Sequence, residues 1–359
     1  MSPRPRVHRA LAVLAVLAAL SLVLVLAACS SSGRDDEATD DETTEAADEA
    51  GSSAPPAEDG ALPATVAHRH GETVVEDVPE RIVTVGYSDQ DAVLAFGHAP
   101  VAVTDWYGEY EHATWEWAQD ELGAAEPEVL NQGEFTGTAD YDLERIRLLE
   151  PDLIVGLYTD MDAEQYADLS AIAPTIAPSA DFPEFGMPWQ EITRTVGAAV
   201  GQPDRAEELI AEVDGRLAEE ADAHPEFAGQ EAVVAELFEP GSTFVRSKGD
   251  PRTQLIEGLG FVLPDDLAEL AGDQDGAPIS DEEMDLLDRD LIVWNVGHDD
   301  TIRGQIEEKP LYETLQVVAE GRSVFVEDPI VAGALTWGSV LSIPYALDAL
   351  VPLLAAAYA

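Results

Sequence analysis

Hydrophobic positions along the chain fall into three regimes. Residues 10–28 form an apolar run broken only by Ser21, and residues 30–61 carry almost no large apolar side chain. From residue 81 onward, short β-branched runs alternate with segments whose apolar residues recur at helical spacing, the pattern of an α/β protein. Residues 81–85 (RIVTV) read as a strand. Ser88-Asp89-Gln90-Asp91 reads as a capping box that opens a helix through Val93, Leu94 and Phe96, closed by Gly97. Residues 100–103 supply the next strand, which completes a right-handed βαβ unit. The same grammar returns with Asp142 before a helix bearing Leu143, Ile146 and Leu149, and with strands at 153–155 and 174–177.

Residues 189–223 carry no strand signal. Asp204 is placed to cap a helix whose apolar stripe is Leu209, Ile210, Val213 and Leu217, the longest helical pattern in the chain. Strands are expected again at 232–237, 243–246, 291–294 and 324–326, a helix at 253–259, and a last amphipathic helix at 339–354 kinked at Pro344. The reading is an α/β fold of two Rossmann-like lobes, residues 62–187 and 224–359, joined by a helical linker at 188–223.

The first regime changes the compartment. Arg4, Arg6 and Arg9 precede the apolar run, and small residues follow it, as in an export signal spanning residues 1–28. The run is long enough to cross a bilayer, but it ends in Leu26-Ala27-Ala28-Cys29, which resembles the bacterial lipobox. That resemblance implies lipidation of Cys29 and anchoring on the extracellular face of the cytoplasmic membrane. Cys29 is the only cysteine, so it has no internal disulfide partner. Residues 29–61 cannot bury enough surface to offset their ordering entropy and read as a disordered acidic tether.

Charge narrows the partners. With 72 acidic residues against 18 basic ones the net charge is −54, and loss of three arginines with the signal brings it to −57 (15 against 72). Phosphate binding needs a basic face, so nucleic acid is excluded. The seven histidines, His8, His68, His70, His98, His112, His224 and His298, show no ligand spacing, so no metal site and no resident cofactor are expected. Asp273-Gln274-Asp275-Gly276 lacks the later ligands of a calcium loop and reads as a turn. No Gly-x-Ser-x-Gly, phosphate loop or cysteine nucleophile points to an enzyme.

Five segments, in order, resemble the ABC-importer binding proteins for ferric siderophores, haem and cobalamin. They are Val78-Pro79-Glu80-Arg81-Ile82-Val83 with the following Leu94-Ala95-Phe96-Gly97; Leu143-Glu144-Arg145-Ile146 with Glu150-Pro151-Asp152-Leu153-Ile154; Leu255-Ile256-Glu257-Gly258-Leu259-Gly260-Phe261; Asp290-Leu291-Ile292-Val293; and Gly321-Arg322-Ser323-Val324-Phe325. The resemblance implies two lobes joined by a long rigid helix, a ligand cleft between them, and delivery of the ligand to a membrane permease. It also implies one docking glutamate per lobe, Glu144 in the first and Glu282 in the second, with Glu283 one step away. The expected ligand is a ferric siderophore. The acidic surface favours a neutral or cationic ferric hydroxamate over an anionic tris-catecholate; haem, cobalamin or a scaffold without transport are the alternatives. No repeated interface pattern is present, and a monomer is expected.

Loops after strand C-termini face the cleft in open α/β sheets. Those at 86–88, 105–110, 132–138, 157–158, 238–246, 295–299 and 332–338 hold most of the aromatics. Tyr87, Trp106, Tyr107, Tyr110, Tyr158, Trp294 and Trp337 are the candidate rings for a flat chelate, with Arg246 as its polar anchor and Phe238 and Lys248 nearby. Arg252, just before a helix, reads as capping or packing.

Overall fold

The computed structural model describes residues 54–359 apart from 109, 132–140, 240, 241 and 273, and apart from the side chains of 238 and 239. The export signal, Cys29 and most of the tether lie outside the described residues. Residues 54–61, assigned above to the tether, are instead laid on the folded domain. Glu58 N donates to Gly201 O at 2.7 Å, and the Glu58 carboxylate accepts from the backbone N–H groups of Asp204 and Arg205 at 2.9 and 3.0 Å. Glu58 therefore does the capping expected of Asp204; Pro203 occupies the first helical position and Gln202 the cap.

A hairpin of β1 (Ala64–His68) and β2 (Gly71–Val75), not foreseen, leads into two separate five-stranded sheets. The first contains β3 (Ile82–Thr84), β4 (Ala102–Val103), β5 (Glu128–Val129), β6 (Leu153–Val155) and β7 (Thr175–Ile176), all parallel, in the order β5-β4-β3-β6-β7. The second contains β8 (Ala232–Glu239), β9 (Ser242–Arg246), β10 (Gly276–Ser280), β11 (Leu291–Asn295) and β12 (Ser323–Val326), in the equivalent order β10-β9-β8-β11-β12. Here β8, β11 and β12 are parallel, while β9 and β10 run antiparallel to their neighbours. In each sheet the strand order reverses at the centre, the place where open α/β sheets form a crevice beyond their carboxyl ends.

Seven helices matter for the site: α1 (Asp89–Ala95), α2 (Leu143–Leu148), α3 (Trp189–Ala199), α4 (Pro203–Ala223), α5 (Pro251–Gly258), α6 (Pro329–Trp337) and α7 (Ser342–Ala356). The linker is thus two helices, of which α4, with 21 residues, is the longest in the described chain. A Cβ on Gly197 would collide with Ala206 and Phe96, so glycine there lets α3, α4 and α1 approach. The foreseen stripe of α4, Leu209, Ile210, Val213 and Leu217, is buried together with Ala206. Each of those large side chains contributes roughly 1.5–3 kcal/mol by leaving water. The kink expected at Pro344 is absent for a simple reason: Pro344 falls in the first turn of α7, where its missing N–H has no partner to lose, and Pro352 is the proline inside that helix.

Candidate functional site

Ser88 stands at the N-cap of α1, but its side chain makes no capping hydrogen bond. The acidic residues behind it have other tasks. Asp89 is fully buried and accepts from Leu157 N at 2.7 Å and Tyr158 N at 2.9 Å, with a further bond from the backbone of Gly86. A Cβ on Gly86 would sit on that carboxylate, so only glycine admits it. Asp89 ties the loop after β3 to the loop after β6 and holds Tyr87 and Tyr158 side by side. Asp91 is also buried. It accepts from Trp117 Nε1 at 2.8 Å and from Ser339 Oγ at 2.5 Å, linking α1 of the first lobe to the turn between α6 and α7 of the second.

Burial pushes both carboxyls from 3.8 up to about 6, although the hydrogen bonds they accept pull the other way. The folded pKa lies above the unfolded one. Each group therefore favours folding most at low pH and loses that contribution as pH rises from about 3.8 to 6. Asp91→Asn should be more stable than the parent at pH 7.5, by at most about 3 kcal/mol, with a smaller gain at pH 5. Urea denaturation at the two pH values measures the difference, and a gain that grows on acidification would contradict the sign.

From this base rises a wall of rings. Trp106 stacks on Tyr87 with centroids 5.6 Å apart and meets Tyr158 at 5.6 Å and Trp337 at 5.0 Å. Tyr107 meets Trp115 and Trp337 edge-on at 5.4 and 5.2 Å, and Tyr110 lies against Trp115 at 4.2 Å. Trp115 in turn stacks on Trp117 at 4.9 Å. Such pairs contribute about 0.5–1.5 kcal/mol each beyond burial, which makes the wall stiff. Trp115 also lies against Gly333 of α6, where a Cβ would enter its ring. Helix propensity alone would favour Gly333→Ala by roughly 1 kcal/mol; the collision should win. The expected outcome is a displaced Trp115 indole and weakened ligand binding, read by near-ultraviolet circular dichroism and titration, and unchanged spectra and affinity would reject this account of Gly333.

Opposite the rings lies a buried charge network. On β8 Glu236 is 3% exposed; Arg246 ends β9, and Arg252 opens α5 behind the capping Asp250. Arg246 donates to one oxygen of Glu236; Asn295 Nδ2 donates to the other at 3.0 Å, and Arg252 Nε stands 3.5 Å from that same oxygen. Arg252 Nη1 donates to Asp250 at 2.7 Å, and Arg246 reaches Asp275 at 3.1 Å. Burial opposes ionisation of Glu236, but the fields of Arg252 and Arg246 outweigh it and hold its carboxyl below the usual range. Arg252, where burial is likewise overcome by Asp250 and Glu236, is held above its usual value. Burial also pushes the Tyr107 hydroxyl up to about 12, so it stays protonated and bonds Thr336.

Ring wall and charge network enclose a cavity of 820 Å³. Its lining takes Trp106, Tyr107, Tyr110 and Trp115 from the first lobe and Glu236, Phe244, Arg246, Arg252, Asp275, Asn295, His298 and Thr336 from the second. Of the expected site residues, Trp106, Tyr107, Tyr110 and Arg246 line it. Tyr87, Tyr158 and Trp337 are buried behind Trp106 as its support and do not line the cavity. Trp294 is a correction. It lies inside strand β11, where the sequence pattern also put it, and not in the loop beyond that was read as facing the cleft. Its side chain faces the layer of Phe325 and Tyr312, with Nε1 donating to Ser323 Oγ. The alternation of a strand then aims Asn295 the other way, to the cavity. Lys248 is mostly exposed beside Glu257, and Arg252 serves the cavity rather than packing alone. The loop at 132–138 and the Phe238 side chain lie outside what is described. Among the described residues no group of three or more His, Cys, Asp or Glu could hold a metal ion.

Sequence reasoning missed Trp115 and Glu236. A signal existed for each: two tryptophans in Trp115-Glu116-Trp117, and a carboxylate inside the otherwise apolar strand Ala232-Val233-Val234-Ala235-Glu236-Leu237.

Two sheets of equivalent strand order with a ring-walled crevice between them can be compared with known proteins. The sequence profile described as periplasmic binding protein matches residues 82–329. The chain belongs to the periplasmic binding protein family. A solved periplasmic solute binding protein from Mycobacterium smegmatis is 32% identical, with a TM-score of 0.72 over 82% of this chain and 99% of that one. The probable siderophore-binding lipoprotein YfiY of Bacillus subtilis is 25% identical over 79% of this chain and 85% of its own length. The ferric-anguibactin-binding protein FatB of Vibrio anguillarum is 23% identical over 80% and 86% respectively. The family fits the α/β fold of two Rossmann-like lobes read from the sequence.

Proposed function

We propose that the protein captures a ferric siderophore of the hydroxamate type outside the cytoplasmic membrane and hands it, without chemical change, to the permease of an ABC importer. It does so as a monomer anchored through lipidated Cys29. The observation that carries this reading is the cavity between the lobes. Its 820 Å³ falls in the range of small-molecule sites, one wall is a continuous surface of rings, and its arginines are neutralised by neighbouring carboxylates. A highly anionic chelate finds no excess positive charge there, whereas a neutral or cationic one loses little. The names of the two relatives, one siderophore-binding and one ferric-anguibactin-binding, support the ligand class. An exposed glutamate on each lobe, Glu144 in the first turn of α2 and Glu282 in the turn after β10, supports docking to a permease.

Titration of tryptophan fluorescence with ferrioxamine B, ferrichrome, ferric enterobactin, haem and cobalamin tests it, because Trp106 and Trp115 line the cavity. A trihydroxamate should quench at the lowest concentration. Tightest binding of the tris-catecholate would overturn the charge argument, and tightest binding of haem or cobalamin would overturn the siderophore reading.

A further inference from the structure

We propose that the cleft selects a ferric chelate bearing a protonated amine arm, and that Asn295 Oδ1 is the acceptor that receives it. This rests on the siderophore reading above and narrows its substrate class.

The orientation of the Asn295 amide is fixed by its neighbours. Its Nδ2 donates to Glu236 Oε1 at 3.0 Å and to Thr336 Oγ1 at 2.9 Å. Glu236, held ionised between two arginines, can only accept. Thr336 spends its own proton on Ala332 O at 2.8 Å, so toward Asn295 it too can only accept. Turning the amide over would set its oxygen against two acceptors. Oδ1 is therefore left on the other side without a donor among the described residues, in a residue 2% exposed that lines the cavity. Buried acceptors are seldom left unpaired, and a ligand filling the cavity is the group placed to supply the proton.

The charge of the surroundings decides what kind of donor this is. Two cations, Arg246 and Arg252, face three anions, Glu236, Asp250 and Asp275, so the cluster carries a net −1. Trp106, Tyr107, Tyr110 and Trp115 present aromatic surface around it, which attracts a cation further. Arg252 also lines the cavity, and its guanidinium can donate to a chelate oxygen. An ammonium group on the chelate satisfies acceptor, charge and rings together; a neutral arm satisfies only the first.

The test compares ferrioxamine B, which carries a free amine arm, with the same chelate acetylated on that amine, and with ferrichrome. The parent protein should bind the amine form about 10-fold or more tightly than the acetylated form. The preference should persist in roughly 0.5 M salt, where the general surface field is screened within a few ångströms. In Asn295→Ala both forms should bind more weakly, the amine form losing more because a charged donor makes the stronger bond, so the ratio shrinks while the charge and the rings keep it above one. Affinities within about twofold of each other in the parent protein would overturn the inference and leave the siderophore reading standing. A ratio undiminished in Asn295→Ala would overturn the role of Asn295. Failure of all three chelates to bind would sink the siderophore reading itself. If the variant does not fold, the high-salt ratio in the parent protein still decides for or against the amine arm.

Discussion

Glu236→Ala should cost the ligand-free protein about 3 kcal/mol or more of stability at neutral pH. The side chain is 3% exposed and works as the shared counter-ion of Arg246 and Arg252. Removing it leaves two guanidinium groups, themselves 8% and 4% exposed, facing the buried Asp250 and an Asp275 that is half in water. A buried charge without its partner is far more costly than a buried pair is beneficial, which is why this substitution outweighs the loss of any exposed ion pair on α4. Glu236→Gln keeps the shape and one acceptor but not the charge, and should lose less. The pH dependence has the opposite sign to that of Asp89 and Asp91. Because the folded pKa of Glu236 is depressed, its contribution is present above the unfolded value of 4.5 and fades as pH falls through the folded one. Urea melts of the parent, Glu236→Ala and Glu236→Gln from pH 8 to pH 4 would measure this. An alanine variant as stable as the parent at pH 7.5 would show that the network is not holding the cleft together.

The elements that could be read from the chain were those with their cause in local sequence. β8, β11 and α4 are continuous apolar runs or stripes, and the structure returns them within one or two residues. The hairpin β1–β2 and strand β10 escaped because each run is only five residues long and poor in large apolar side chains; Gly276-Ala277-Pro278-Ile279-Ser280 becomes a strand only by pairing with β9. The acidic start of α1 was misread for a related reason. Ser88-Asp89-Gln90-Asp91 has the composition of a solvated helix start, yet tertiary contacts from Leu157, Tyr158, Trp117 and Ser339 bury both carboxylates. The site divides in the same way. Trp106, Tyr107 and Tyr110 sit in one loop and were visible as a cluster. The charge network was not, because Glu236, Arg246, Arg252, Asp275 and Asn295 lie on five different elements or loops, and only the sheet order brings them together.

Reversing charge at both Glu144 and Glu282 (Glu144→Arg with Glu282→Arg) should abolish ferric-siderophore uptake by cells while leaving the affinity of the purified protein for its ligand unchanged. Neither residue lines the cavity. Around each, the neighbours are already committed. Asp142 caps α2 by accepting from Arg145 N, and the Arg145 side chain pairs with Glu128, which leaves Glu144 exposed and without a partner among the described residues. In the second lobe Asp281 pairs with Lys309, and Glu283 closes a capping box on Ser280. Glu282 is thereby singled out over Glu283 as the carboxylate free to meet another surface. Two such charges on separate lobes orient an approaching complex, and setting like charges against each other costs several kcal/mol per contact, enough to remove productive docking. Glu283→Arg serves as the comparison: it should lose the capping box and a little stability but retain uptake. Normal uptake by the double variant would overturn the docking role, and loss of uptake in Glu283→Arg equal to that in Glu282→Arg would mean that local folding of the turn, rather than the free carboxylate, is what the permease reads.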